Sequence, residues 1–196
     1  MENMEKLFEG LDTQEERERL YSIREILKQA RYVEKKDLFF ARILTCAEKL
    51  ANPGNKGFVL GELSEILADM EGVEDKYTLF LHMLDSLEKL DCIFAKTDAL
   101  VEVTRAAAKT GGIEYKDDLF KKALGITENL KNMHRDAIAL GEIADFLAAA
   151  QGVKDKSVLF AEIVNRTANL RNPRIRDRVM KRVSLASGGR LPAAEG

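Results

Sequence analysis

The chain has 196 residues, 45% of them apolar, enough to bury a substantial core in one large domain or two small ones. Its 31 basic and 33 acidic side chains leave a net charge of -2, which excludes a global pull toward nucleic acid or an anionic membrane. Two cysteines, Cys46 and Cys92, exclude a disulfide framework and lack zinc-ligand spacing; they read as free, partly buried thiols.

The N-terminal Met1-Glu2-Asn3-Met4-Glu5-Lys6 has neither a basic leader nor an apolar run, so a cytoplasmic setting is the expectation. Residues 2–10 match the end of a second-type helix and are expected to form a short N-terminal cap. Asp12-Thr13-Gln14-Glu15 then reads as a capping box.

From there the sequence repeats every 40 residues. Gly72-Val73-Glu74-Asp75-Lys76-Tyr77-Thr78-Leu79-Phe80 returns as Gly112-Ile113-Glu114-Tyr115-Lys116-Asp117-Asp118-Leu119-Phe120. It returns again as Gly152-Val153-Lys154-Asp155-Lys156-Ser157-Val158-Leu159-Phe160, and Tyr32 to Phe40 is a worn first copy. Leu20, Ile23 and Leu27 begin a first-helix stripe that recurs at Leu60, Leu63, Leu67, at Leu100, Val103, Ala107 and at Leu140, Ile143, Leu147. The i, i+3, i+7 spacing is one face of an α-helix. Phe40, Leu44 and Leu50 begin the second-helix stripe, and the same phases hold Phe80, Leu84, Leu90, then Phe120, Leu124, Leu130, then Phe160, Val164, Leu170.

The punctuation predicts helices over 13–31, 35–51, 53–71, 75–91, 93–110, 115–131, 133–151, 155–171 and 173–186. Gly72, Gly112 and Gly152, each followed by Val or Ile, suit left-handed Schellman ends. Tyr32-Val33 replaces them in the first copy and predicts a strained or differently built turn. Asn52-Pro53 and Asn172-Pro173 place a capping amide before a proline at the first helical position; Asn132 caps in the same slot and Cys92 does not. A second line of small residues lets neighbouring first helices approach: Gly61, Ser64, Ala68, then Val101, Thr104, Ala108, then Gly141, Ala144, Ala148. A hairpin of this size cannot bury its own apolar face, so stacking must supply the cover.

These features describe an all-α chain of about four to five 40-residue hairpins, with repeats at about 13–52, 53–92, 93–132 and 133–172 and a terminal helix at 173–186. Residues 1–186 are expected to form one domain and 187–196 a mobile tail. Paired helices, Leu60-Gly61 and Leu140-Gly141 in the first helix and an aromatic in the second resemble tetratricopeptide-type repeats. The run Arg135, Leu140, Ile143-Ala144, Gly152, Leu159-Phe160 is similar to the longer-helix members of that class. The period of 40 exceeds the usual 34, and the usual first-helix Trp and Tyr are absent; a HEAT-like array is the alternative. The resemblance implies a right-handed α-solenoid (an α-α superhelix) that binds a protein or peptide.

No Ser-His-Asp set, phosphate loop or acid/base pair is legible, and no cofactor or metal is implied. His82 has Asp85 as a same-face neighbour and His134 has none, too few ligands for a metal. Lys36, Lys76, Lys116 and Lys156 open every second helix, and Glu62, Glu102 and Glu142 recur on the first helices. They read either as solvated ladders or as part of a groove for a charged peptide. Off-stripe phase selects Glu62, Glu65, Asp69, Glu102, Arg105, Lys109, Glu142, Asp145 and Ala149 as candidate partner-binding positions.

Charge is uneven along the chain. Residues 1–25 hold eight acidic and four basic side chains, whereas Arg171 to Arg190 hold seven basic residues and only Asp177. The ends thus suit a polar cap, an acidic partner or head-to-tail contact with a second copy. Without Trp and with four Tyr, base stacking is poorly supported, and nucleic acid is not the expected partner. The expected function is a non-enzymatic scaffold or adaptor. The alternatives are a HEAT-like nucleic-acid-binding or processing protein and a self-assembling structural subunit.

Overall fold

The structure, a computed structural model, describes residues 2–189. Among them the elements are helical and no strand occurs. Ten α-helices follow in order: α1 (Glu2–Phe8), α2 (Glu16–Leu27), α3 (Lys36–Glu48), α4 (Pro53–Asp69), α5 (Lys76–Glu88), α6 (Ile93–Lys109), α7 (Lys116–Glu128), α8 (Met133–Ala149), α9 (Lys156–Ala168) and α10 (Pro173–Ala186). Short 3₁₀ turns at Leu11–Thr13 and Ala30–Tyr32 flank α2. Of the tail expected over 187–196, residues 190–196 lie outside the described residues.

The helices pack in two series. The A helices α2, α4, α6, α8 and α10 each lie against the next A helix. The B helices α3, α5, α7 and α9 do the same, and each B helix also touches the A helices before and after it. The two apolar stripes read from the sequence meet between the series. All of their members are buried except Leu20, which is half-buried. Phe39, Phe40, Phe80 and Phe120 are the largest side chains in this core.

The helix starts follow from the caps. Asn52 Oδ1 accepts from the N–H groups of Gly54 (2.8 Å) and Asn55 (3.1 Å), Asn132 from His134 and Arg135, and Asn172 from Arg174 and Ile175. Each amide oxygen satisfies donors that the first turn leaves free. Cys92 occupies the same slot before α6 without a side-chain bond.

Several ends differ from the sequence reading. The capping box at Asp12–Glu15 does not form. Helix α2 starts at Glu16 behind an uncapped Glu15, and Thr13 Oγ1 donates back to Gly10 O. The Arg19 guanidinium does the joining instead, donating to the carbonyls of Leu11, Asp12, Gln14 and Lys49. The first-copy turn is built differently, as the missing glycine suggests, with α2 ending at Leu27 and a 3₁₀ turn taking up the slack.

Gly72, Gly112 and Gly152 do take positive φ (73°, 73° and 78°). They are not Schellman residues, however. Met70, Thr110 and Ala150 leave their helices in extended conformation, and the glycine turns the chain two residues later. The carbonyls this exit leaves free are taken by lysine. Lys76 Nζ donates to Ala68 O (3.1 Å), Lys116 Nζ to Ala108 O and Thr110 O (3.1 and 2.6 Å), and Lys156 Nζ to Ala148 O (2.9 Å). Lys76, Lys116 and Lys156 are therefore helix C-terminal caps rather than a solvated ladder, and Lys116 is buried; Lys36 departs from the set and donates to Glu71 O beyond α4 (2.7 Å).

Candidate functional site

The A-helix face carries a groove of about 830 Å³ between α2, α4 and α6. That lies within the range of small-ligand and peptide-anchor clefts. Its geometry follows from side chains that are missing. Along α4 the lining includes Gly54, Gly57 and Gly61, three positions without a side chain, beside Phe58, Glu62, Glu65 and Ile66. A Cβ on Gly57 would stand 3.0 Å from the Ala95 carbonyl oxygen, and α4 and α6 approach this closely only because none is present.

Two phenylalanines stand in the groove. Phe58 on α4 is 49% exposed and Phe94 on α6 is 57% exposed, both off the core stripes. Exposed phenylalanines are uncommon where burial is available, and two in one cleft form an apolar patch. Each ring carries an arginine: Arg24 lies over Phe58 at 5.0 Å and Arg135 over Phe94 at 4.2 Å. Leu27, Ile66, Ala95 and Ala99 complete the apolar lining, and Glu62, Glu65, Asp98 and Glu102 stand at its sides. A smaller hollow of about 280 Å³ shares Leu27, Lys28, Glu65 and Ile66 with it and reaches Asp69.

The eight charged candidate positions fall in two places, and every one of them is ion-paired. Glu62, Glu65 and Glu102 line the groove, and Asp69 lines the adjoining hollow. Arg24 holds Glu62 at 2.9 Å; Arg105 bridges Glu65 (3.2 Å) and Glu102; Lys109 holds Glu65 (2.7 Å) and Asp69 (3.6 Å). Glu142 and Asp145 lie on α8, away from the groove, where Arg182 of α10 clamps both at 2.9 and 2.6 Å. Ala149, the uncharged candidate, is exposed at the end of α8.

The sequence reading missed Phe58, Phe94, Arg24 and Asp98. The signal available was a phenylalanine off the i, i+3, i+7 stripe, which folding alone does not require.

The histidines take ordinary partners. His82 Nε2 lies 3.0 Å from Glu48 Oε1, and Ser86 Oγ donates to the same oxygen at 2.5 Å, which links α5 to α3. Asp85, its sequence neighbour, pairs with Lys122 instead. His134 stands exposed at the start of α8, where its N–H bonds Asn132. Among the described residues no group of three or more His, Cys, Asp or Glu side chains is placed to hold a metal ion, and no helix is long and apolar enough to cross a membrane.

Comparison of the chain with protein-family models, with curated proteins and with solved structures gives no match.

Proposed function

We propose that this chain is a non-enzymatic binding module whose A-helix groove receives a segment of a partner protein in the cytoplasm. The observation that carries the reading is the pair Phe58 and Phe94, each about half-exposed in a cleft whose lining includes three glycines. An apolar floor with polar sides is the usual make-up of a peptide groove. In this reading the 40-residue units form a right-handed α-solenoid of about four to five hairpins, akin to tetratricopeptide arrays. The regular A-to-A and B-to-B packing supports it.

The character of α10 favours this over end-to-end assembly. Lys181 stands where the inner A helices hold Gly61, Val101 and Gly141, so the outer surface of α10 is polar, as a terminal cap requires.

Panning a random dodecapeptide phage library against the full chain tests the reading. Enrichment of a peptide family that is lost on the Phe58→Ala/Phe94→Ala double variant, with the melting curve retained, supports it. Failure to enrich any family, or equal enrichment on the double variant, contradicts it.

A further inference from the structure

The outward stripe of α10 occupies fixed phases of the repeat. Its exposed residues Arg174, Arg178, Lys181 and Leu185 stand at i, i+4, i+7 and i+11, one face of the helix. On the earlier A helices the same phases meet the A helix that follows. Phe94 and Asp98 of α6 take Arg135 of α8, over the ring at 4.2 Å and on the carboxylate at 2.7 Å. Gly61 of α4 faces Glu102 of α6, and Glu65 takes Arg105 and Lys109. Gly141 and Asp145 of α8 both meet Arg182 of α10. The stripe on α10 is thus the surface on which a further helix would lie.

At these phases the sign of the contact is constant through three junctions. The earlier helix gives the acid and the later one the cation: Glu65 with Arg105 (3.2 Å) and Lys109 (2.7 Å), Asp98 with Arg135 (2.7 Å), Asp145 with Arg182 (2.6 Å). Helix α10 inverts it. Among the described residues its ion pairs are Arg176 with Asp177 (3.7 Å) and Arg182 with Glu142 and Asp145, so Arg174, Arg178 and Lys181 stand unpaired. Leu185, at the end of the stripe, is 73% exposed, although Val179 and Val183 of the same helix are buried. Lys181 also fills the phase of Gly61 and Gly141, which denies a docked helix the close backbone approach that glycine allows. Contact there is made by side-chain ends, and charge decides what fits.

We propose that the outward stripe of α10 docks an acidic amphipathic helix of a partner protein. Carboxylates one turn apart on that helix meet Arg174, Arg178 and Lys181, and an apolar side chain one turn further covers Leu185. A helix is favoured because it presents its side chains at the same rise as the stripe, about 1.5 Å per residue. Two of the three cations are arginine, whose planar fork takes both oxygens of a carboxylate. A phosphate backbone would use the cations and leave Leu185 uncovered. This surface is separate from the groove on α2, α4 and α6, and the proposal does not depend on that reading.

The test is fluorescence anisotropy of the full chain with three labelled peptides of roughly 14 residues, about four helical turns. One carries glutamate at i, i+4 and i+7 and leucine at i+11; the second has lysine for glutamate. The third scrambles the acidic sequence so that its glutamates share no face. The acidic helix is expected to bind at least about tenfold more tightly than either control at about 50 mM salt, and to weaken at about 300 mM. Arg174→Gln/Arg178→Gln/Lys181→Gln is expected to abolish the preference with the melting curve retained, because all three side chains are exposed. Leu185→Ala is expected to weaken the acidic helix severalfold, and Phe58→Ala/Phe94→Ala to leave it unchanged. Absence of binding, equal binding of the scrambled peptide, or a preference that survives the triple variant overturns the proposal. Loss of binding on the phenylalanine double variant places the peptide in the groove and also overturns it. Two further results do the same. A thymidine oligonucleotide of equal charge that binds more tightly than the acidic helix makes the stripe a phosphate-binding face. Self-association in sedimentation that the triple variant removes gives the stripe to a second copy. Each of these outcomes leaves the groove reading standing, since its own test uses the phenylalanines.

Discussion

Two aspartates on the same scaffold respond to pH in opposite directions because their surroundings differ. Asp117 opens α7, and its carboxylate accepts from the backbone N–H groups of Lys154 (3.1 Å) and Asp155 (2.7 Å) in the loop before α9. Burial works to raise its pKa, but these N–H bonds prevail and hold it below the usual aspartate value. Its stabilisation is therefore present above pH 3.8 and lost as pH falls through the lower folded value. Asp117→Ala is expected to cost about 2 kcal/mol at neutral pH in denaturant unfolding, with the gap to the parent closing in acid. Asp136, in the first turn of α8, stands at the phase held by Lys96, whose Nζ caps α5 at Glu88 O. An acid in that slot is poorly placed. Burial pushes Asp136 up to about 6, against the pull of Arg166. The sign is now reversed: its contribution is complete below pH 3.8 and lost as pH rises through 6. Asp136→Asn is expected to stabilise the chain at pH 7.5 by about 1 kcal/mol once solvent screening is allowed for. That is a rise in Tm of about 2–4 °C, shrinking to nothing near pH 4. A rise equal at both pH values would contradict the assignment.

Glycine separates the helices that only form from those that must also approach one another. Gly125 lies inside α7 at ordinary helical φ, with nothing within 4 Å of the place an added methyl would take, so it contributes only backbone freedom to the unfolded chain. Gly125→Ala is expected to stabilise by about 0.5–1 kcal/mol. Gly57 has the same local conformation but faces the Ala95 backbone oxygen, which cannot swing away. Gly57→Leu is expected to cost about 1–3 kcal/mol by prising α4 from α6. Thermal melts of the two variants check both signs. Gly141, which the sequence marked as a stacking residue, faces the flexible Arg182 side chain, so substitution there displaces the clamp before it displaces a helix. Periodicity made the nine helices from α2 to α10 legible, because a buried stripe recurs in phase with the turn. The C-terminal ends of α4, α6 and α8 were read one or two residues too long, because an extended exit replaced the expected cap. Asn caps were legible because the amide acts on its own next two or three residues. The lysine caps were not, since Lys116 reaches a carbonyl eight residues back across a turn whose path the sequence does not reveal.

At the scale of the whole molecule, each helix touches its neighbours in the two series, and the ends are closed by different means. Phe8 of α1 packs edge-on against Phe39 at 5.9 Å with Arg42 over its ring, which covers the first B helix, and α10 covers α8 and α9 with a charged exterior. Between these ends the groove lies on α2, α4 and α6, although the sequence distributed candidate charges over α4, α6 and α8 alike. The charges on α8 went to hold α10, and no periodic signal marks which copy keeps its surface open. Hydrogen–deuterium exchange of the full chain, with and without a saturating phage-selected peptide, addresses the central claim most directly. Slowed exchange is expected to be confined to α2, α4 and α6 and the cap segment before α6, with α8 to α10 unchanged. Slowed exchange centred on α8 and α10, or on the B helices, would contradict it.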